Sequence, residues 1–287
     1  MEIFELHFNP KLKEDLIFDS FCYEPENVYE KRLGSLYMAG ELKDALPQNS
    51  KFLSKLAQII KTNYFEHTSL SPERSLKASL KKTNEFLFKL VQKDNTSWLG
   101  NLNFAILAIR RLNLNLTKAG NIKILLLRGS ETIDIGERAE LKDFEPYPLK
   151  IFKNIVSGKL IEDDLIAVLT KETFEFFSEE NLIDEIAKIP TDRVKKFLKS
   201  KNKIFSEISG LCLLISLRTK VVKKESFAFK KQLPVFSFKK SFVKIFNQIK
   251  NLFIPKFEIT EESKQKIILI IALILILLLG FFVFKNH

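Results

Sequence analysis

The sequence predicts an α+β domain followed by one membrane-spanning helix, and three observations carry that expectation. Residues 51–92 place their apolar side chains at helical spacing. After residue 101 the pattern changes to alternation and to short apolar runs closed by turn residues. Near the end, the eighteen residues from Ile267 to Phe284, IILIIALILILLLGFFVF, contain no charge and no polar side chain. An apolar helix of that length rises about 27 Å, close to the hydrocarbon thickness of a bilayer, and it has no polar face to turn to water.

The elements follow in order. In 51–65, Phe52, Leu53, Leu56, Ile59 and Ile60 share one helical face; in 73–92, Leu76, Leu80, Leu87, Leu90 and Val91 do so. Ser71 followed by Pro72 is a start signal, with serine as cap and proline at the first helical position. Leu102–Ile109 is an apolar run, and Arg111–Lys118 alternates with Leu112, Leu114 and Leu116 on one side. Ala119-Gly120-Asn121 reads as a turn into the strand Ile122–Arg128; Gly129-Ser130 closes it, and Thr132–Ile135 is a further strand. Strands joined by such short turns form an antiparallel meander. Leu165–Leu169 reads as a buried strand with Asp163-Asp164 as the turn before it. Residues 172–198 are helical in pieces interrupted near Pro190, and Gly210–Leu217 is a last strand. Helices then cover the faces of the sheets.

The net charge of +11 is uneven. Between Arg218 and Lys266 stand thirteen Lys or Arg against four Glu, whereas residues 1–217 are nearly neutral. We therefore divide the chain into a globular domain, 1–217, a basic Phe-rich linker, 218–264, and a C-terminal transmembrane tail anchor, 265–287, with Ile267, Leu275 and Phe284 inside the span. Within the linker, 239–254 has one apolar helical face. Lys240, Phe242, Lys244, Phe246, Lys250 and Phe253 are its candidate membrane-surface residues, attracted to anionic lipid. A plain solvated linker is the other reading. Nucleic acid is not an expected partner, because the anchor already supplies a negative surface nearby. The N-terminus has acids and no apolar signal core, and lysine-rich flanks stay cytoplasmic. The domain is thus expected on the cytoplasmic face of a single-pass membrane protein. Cys22 and Cys212 have no metal-ligand spacing and read as reduced, buried thiols; His67, beside turn residues, reads as a surface side chain. No phosphate-binding glycine loop and no glycine-framed serine is present.

The order of phrases in residues 1–217 resembles the PPM family of metal-dependent Ser/Thr protein phosphatases. Ser79-Leu80-Lys81-Lys82-Thr83-Asn84-Glu85-Phe86-Leu87 resembles the family's second helix. Gly100 sits where a Gly-Thr-Thr opens a central strand. Ala119-Gly120-Asn121-Ile122-Lys123 resembles the Gly-Asp-Ser-Arg turn, Asp163–Thr170 the strand running into Thr-Asp-Gly, and Ser206-Glu207-Ile208-Ser209 the acidic phrase before the last strand. The resemblance implies a β-sandwich of two antiparallel sheets flanked by helical layers. It also implies two Mg or Mn ions held mainly by aspartates, which generate a hydroxide nucleophile and neutralise the phosphoryl charge.

The departures from that pattern set the functional expectation. At the family's aspartates this alignment places Asn27, Gly40, Lys171 and Ser206, and Asn121 in the Gly-Asp-Ser-Arg turn. About four negative charges are removed, and a lysine stands where a cation belongs. The expectation is a degenerate member, a pseudophosphatase with no catalytic residues, no metal and no cofactor. It would work as a binding or regulatory module for an unidentified protein partner at the cytoplasmic membrane face. Lys43 and Lys171 are its candidate anion-binding cleft. Two alternatives stay open: an active phosphatase using Mg or Mn on displaced acids (Glu26, Glu41, Asp44, Glu172 or Glu207), and an unrelated tail-anchored scaffold.

Overall fold

Among the described residues, ten strands form two five-stranded sheets in which every pairing is antiparallel. The structure, a computed structural model, describes residues 1–10, 13–139, 151–201 and 203–217. The expected span 267–284, the linker and its amphipathic segment lie outside the described residues. Among the described residues no helix is long and apolar enough to cross a membrane.

In chain order the strands are β1 (Glu2–Phe8), β2 (Ile17–Tyr23), β3 (Ser35–Leu42), β4 (Leu102–Arg110), β5 (Asn113–Ala119), β6 (Lys123–Arg128), β7 (Glu131–Asp134), β8 (Val156–Lys159), β9 (Leu165–Leu169) and β10 (Gly210–Ser216). One sheet runs β1-β10-β9-β6-β7 and the other β2-β3-β4-β5-β8. Helices α1 (Phe52–Glu66) and α2 (Pro72–Val91) lie between β3 and β4 in sequence; α3 (Lys171–Glu179), α4 (Leu182–Lys188) and α5 (Thr191–Ser200) lie between β9 and β10.

Side-chain parity sorts these elements into four layers. On β4, Ala105, Leu107 and Ile109 join Ile124, Ile166 and Leu213 of the opposite sheet in the interior of the sandwich. The alternate residues Leu102, Phe104 and Ile106 pack under α1 and α2, against Leu53, Leu56, Leu80 and Trp98. On the other outer face, Leu125, Ala167 and Leu214 pack under α3–α5, against Phe177, Leu182, Val194 and Leu198. This is the α+β sandwich flanked by helices that the resemblance implied. The start signal of α2 is used as read: Ser71 Oγ accepts from the Arg74 amide at 3.3 Å, and Pro72 is the first helical residue.

The turn into β3 depends on a glycine. Gly34 has φ +81°, and a Cβ there would stand 2.3 Å from the Ile109 carbonyl oxygen. Backbone cannot yield as a flexible side chain can. Gly34→Ala is expected to destabilise the domain by about 2 kcal/mol or more, read as a lower urea midpoint at unchanged m value.

Candidate functional site

One end of the sandwich gathers buried polar side chains, Glu41, Asn103 and Lys118 among them. Parity places them. Tyr37 and Ala39 of β3 point between the sheets, and Glu41 continues that series. Asn103 of β4 is its cross-strand partner. Glu41 is fully buried. Its Oε2 accepts from Asn103 Nδ2 at 2.9 Å and lies 3.8 Å from Lys43 Nζ, while Oε1 has no hydrogen-bond partner. Asn103 Oδ1 in turn accepts from the Asn121 amide at 2.7 Å, which fixes the β5–β6 turn over the cleft. Lys118, on the same interior face of β5, is buried and donates to the Ile122 carbonyl at 2.9 Å.

The opposite sheet contributes Glu172, in the first turn of α3, and Ser209, just before β10. Glu172 Oε1 accepts from the Ser209 amide at 3.3 Å, and its Oε2 lies 3.7 Å from Lys13 Nζ. Ser209 Oγ is buried and has no hydrogen-bond partner. Burial pushes the Glu41 carboxyl above the ordinary range. Lys43 and the Asn103 hydrogen bond act against that shift, and the negative charge of Glu172 adds to it.

The residues expected at the family's aspartates are distributed differently. Gly40 faces the helical layer, where a Cβ would meet the Phe104 ring at 2.4 Å and Leu53 at 3.2 Å, so no larger side chain fits there. The interior position belongs to its neighbour, Glu41. Asn27 lies in the β2–β3 connection, at the Ser35 end of β3 and away from Glu41. There its Oδ1 accepts from the Tyr29 and Glu30 amides at 3.0 and 2.9 Å. The acidic pair at the Glu41 end is Glu14-Asp15: the Ala45 amide donates to the Asp15 carbonyl at 2.8 Å. Lys171 is exposed on α3, 3.6 Å from Glu175, and Ser206 Oγ donates to the Lys203 carbonyl at 2.8 Å. Of the candidate anion-binding pair, then, Lys43 stands beside Glu41 and Lys171 beside Glu175. The cleft residues without a sequence signal of their own were Asn103, Lys13, Lys118 and Ser209. Glu41 was named from the sequence only among the displaced acids; strand parity continued from Tyr37 and Ala39 is the signal that places it inside.

This donor set does not fit two divalent cations. Such a centre needs several anionic oxygens to offset the dehydration of the metals. Here two carboxylates, Glu41 and Glu172, stand beside two ammonium groups, Lys43 and Lys13. Among the described residues no three His, Cys, Asp or Glu side chains gather into a group that could hold a metal ion.

The sandwich, with two helices on one outer face and three on the other, has the PPM-like fold of Ser/Thr phosphatase domains. A bacterial serine phosphatase is similar in structure with a TM-score of 0.50 and 10% identity, over 76% of this chain and 97% of that one. A serine/threonine phosphatase of S. agalactiae gives a TM-score of 0.48 and 12% identity, over 74% and 97%. PppA, described as a key regulatory component of T6SS in Pseudomonas aeruginosa, gives 0.45 and 10%, over 70% and 97%. At such identities the likeness is one of fold. No protein-family profile and no curated protein sequence matches the chain.

Proposed function

We propose that this protein is a membrane-tethered, catalytically inactive relative of PPM phosphatases, working as a binding or regulatory module at the cytoplasmic face of a membrane. The observation that carries the loss of catalysis is Lys43 Nζ at 3.8 Å from the buried Glu41 carboxylate. A cation of the protein's own pairs with the buried carboxylate, and Lys13 stands in the same relation to Glu172 at 3.7 Å. Two carboxylates balanced by two lysines hold no excess negative charge to bind divalent ions. The tether rests on the uncharged sequence Ile267–Phe284, with the basic, Phe-rich linker before it contacting anionic lipid. The bound protein is a partner of the domain, which keeps a phosphatase-like frame and uses its surface.

One observation favours a second reading. Glu41 Oε1 is buried without a hydrogen-bond partner and senses Glu172, so these two acids are displaced ligands of an active enzyme if Lys43 and Lys13 swing away. Titration calorimetry of the full-length chain in detergent with Mn²⁺, followed by p-nitrophenyl phosphate hydrolysis on the same sample, separates the two. Neither heat of binding nor turnover is expected. Saturable binding with metal-dependent turnover that falls on Glu41→Gln would replace the first reading by the second.

A further inference from the structure

The outer face of α2 carries a groove that the cleft chemistry does not use. It lies between α2 and residues 152–155, which run alongside the helix before β8. The volume is about 660 Å³. The groove is built, not incidental. The Asn84 side chain grips the neighbouring backbone twice, donating from Nδ2 to the Phe152 carbonyl at 3.0 Å and accepting from the Phe152 amide at 3.2 Å. This holds the two walls at a fixed separation and sinks Leu80 and Phe152 into the floor, each 3% exposed.

The rim is cationic. Arg74, Lys77 and Lys81 succeed one another at three- and four-residue steps on one stripe of α2, so they line the same side within about 10 Å. Lys153 faces them from the other wall. The one acid in the lining, Glu85, lies 3.4 Å from Lys82. Among the described residues none of these four cations has an ion pair. Four positive charges above a recessed apolar floor raise the local concentration of anionic chains and reject cationic ones.

We propose that this groove docks an acidic segment of a partner protein, carrying one or two large apolar side chains flanked by carboxylates. The charge complementarity selects the carboxylates, and the recessed floor of Leu80, Phe152 and the half-buried Ile155 receives the apolar anchors. A bilayer surface fits the geometry less well, because a flat headgroup plane cannot reach side chains sunk below a rim of lysines. The proposal stands on the groove alone and does not depend on whether the cleft is active.

The test uses the full-length chain in detergent and a fluorescein-labelled peptide, Asp-Glu-Leu-Asp-Glu-Phe-Asp, with anisotropy as readout. The comparison peptide replaces each acid by its amide. Expected are saturable binding of the acidic peptide, at least tenfold weaker binding of the amide peptide, and affinity that falls with salt. The double variant Lys77→Glu/Lys81→Glu should weaken the acidic peptide at least tenfold. Lys196→Glu/Lys199→Glu, an equal change of charge on exposed residues of α5, should leave it within about twofold. All four positions are exposed, and matching thermal melts exclude unfolding as the cause. Equal losses in the two double variants, or no binding of the acidic peptide, would overturn the proposal. So would phosphatidylserine vesicles whose binding drops tenfold in the α2 variant while the peptide stays unbound; the groove would then be a lipid site.

Discussion

Replacing Arg128 by methionine is expected to destabilise the domain by about 2–3 kcal/mol, visible as a lower urea midpoint and a lower Tm. The reason is Asp164, whose side chain is 1% exposed. It accepts from Arg128 Nε at 2.9 Å and Nη2 at 2.7 Å, and from the Ile161 amide at 2.8 Å. Removing the guanidinium leaves a buried carboxylate with one donor, and losing one partner of a buried pair costs about 3–5 kcal/mol in general. The lower figure applies because Arg128 is itself 34% exposed and water can reach the site once it is gone. The pair is local to the fold's frame: Arg128 ends β6, and Asp164 immediately precedes β9, its neighbour in the sheet. The double variant Arg128→Met/Asp164→Leu should recover much of the loss, since both charges then leave the interior together. If the single variant costs nothing, Asp164 is wetter than its burial implies.

Glu41→Gln should raise stability at neutral pH by about 1–2 kcal/mol, by removing a charge that the buried site disfavours. The pH profile carries the sharper signature. Folding lifts the Glu41 carboxyl above its ordinary range, so the folded state prefers the protonated form. Below the ordinary carboxylate range both states hold the proton, and Glu41 costs nothing. As pH rises, the unfolded chain releases its proton first. Stability is therefore lost between the ordinary range and the raised folded value, and levels off above it. The difference between wild type and Glu41→Gln should open across that window and close at acid pH. A constant difference at all pH values would mean that folding leaves the Glu41 carboxyl in its ordinary range. The same measurement bears on the cleft, because a carboxyl that takes up a proton is a poor metal ligand.

Much of the fold was legible, and the reasons are local. Both long helices announced themselves by 3.6-residue spacing, and α2 by its serine cap. The hairpins β4–β5 and β6–β7 lie within two residues of where they were read, but the expected continuous meander does not form: β5 and β6 belong to different sheets, and the turn at Gly120 carries the chain from one sheet to the other. The first three strands were not placed, and each for a reason. In β1 the residues facing between the sheets include Glu5 and His7, so the inner face does not read as apolar. In β2 every residue is half-buried, which leaves no contrast between faces. β3 is buried on both sides, and its run contains Gly40 and Glu41, which look like a turn. β8 is four residues long and largely exposed. The site suffered from the same cause. Alignment by phrase set Gly40 at an aspartate, but parity along β3 puts Glu41 inside, one residue on. Only after β3 is recognised as a strand, with Asn103 across from it, does the buried carboxylate stand out. The Asp163-Asp164 pair, read as a turn, is one: Asp163 takes φ +68° and Asp164 turns inward to Arg128.

The pairing of the first strand with the last has a consequence for how the chain can be cut and joined. Glu2 lies opposite Ser216, and β10 is flanked by β1 on one side and β9 on the other. The sheet cannot close until its final strand has been made, so this topology is dominated by contacts far apart in sequence and is expected to fold slowly. A chain truncated before Gly210 would bare the edges of β1 and β9 together and invite aggregation. The ends of the domain, by contrast, are neighbours. Joining residue 217 to residue 1 through a short linker and opening the chain at an exposed turn such as Arg111-Leu112 should give a circular permutant with the same sheets, a rearrangement that close termini permit.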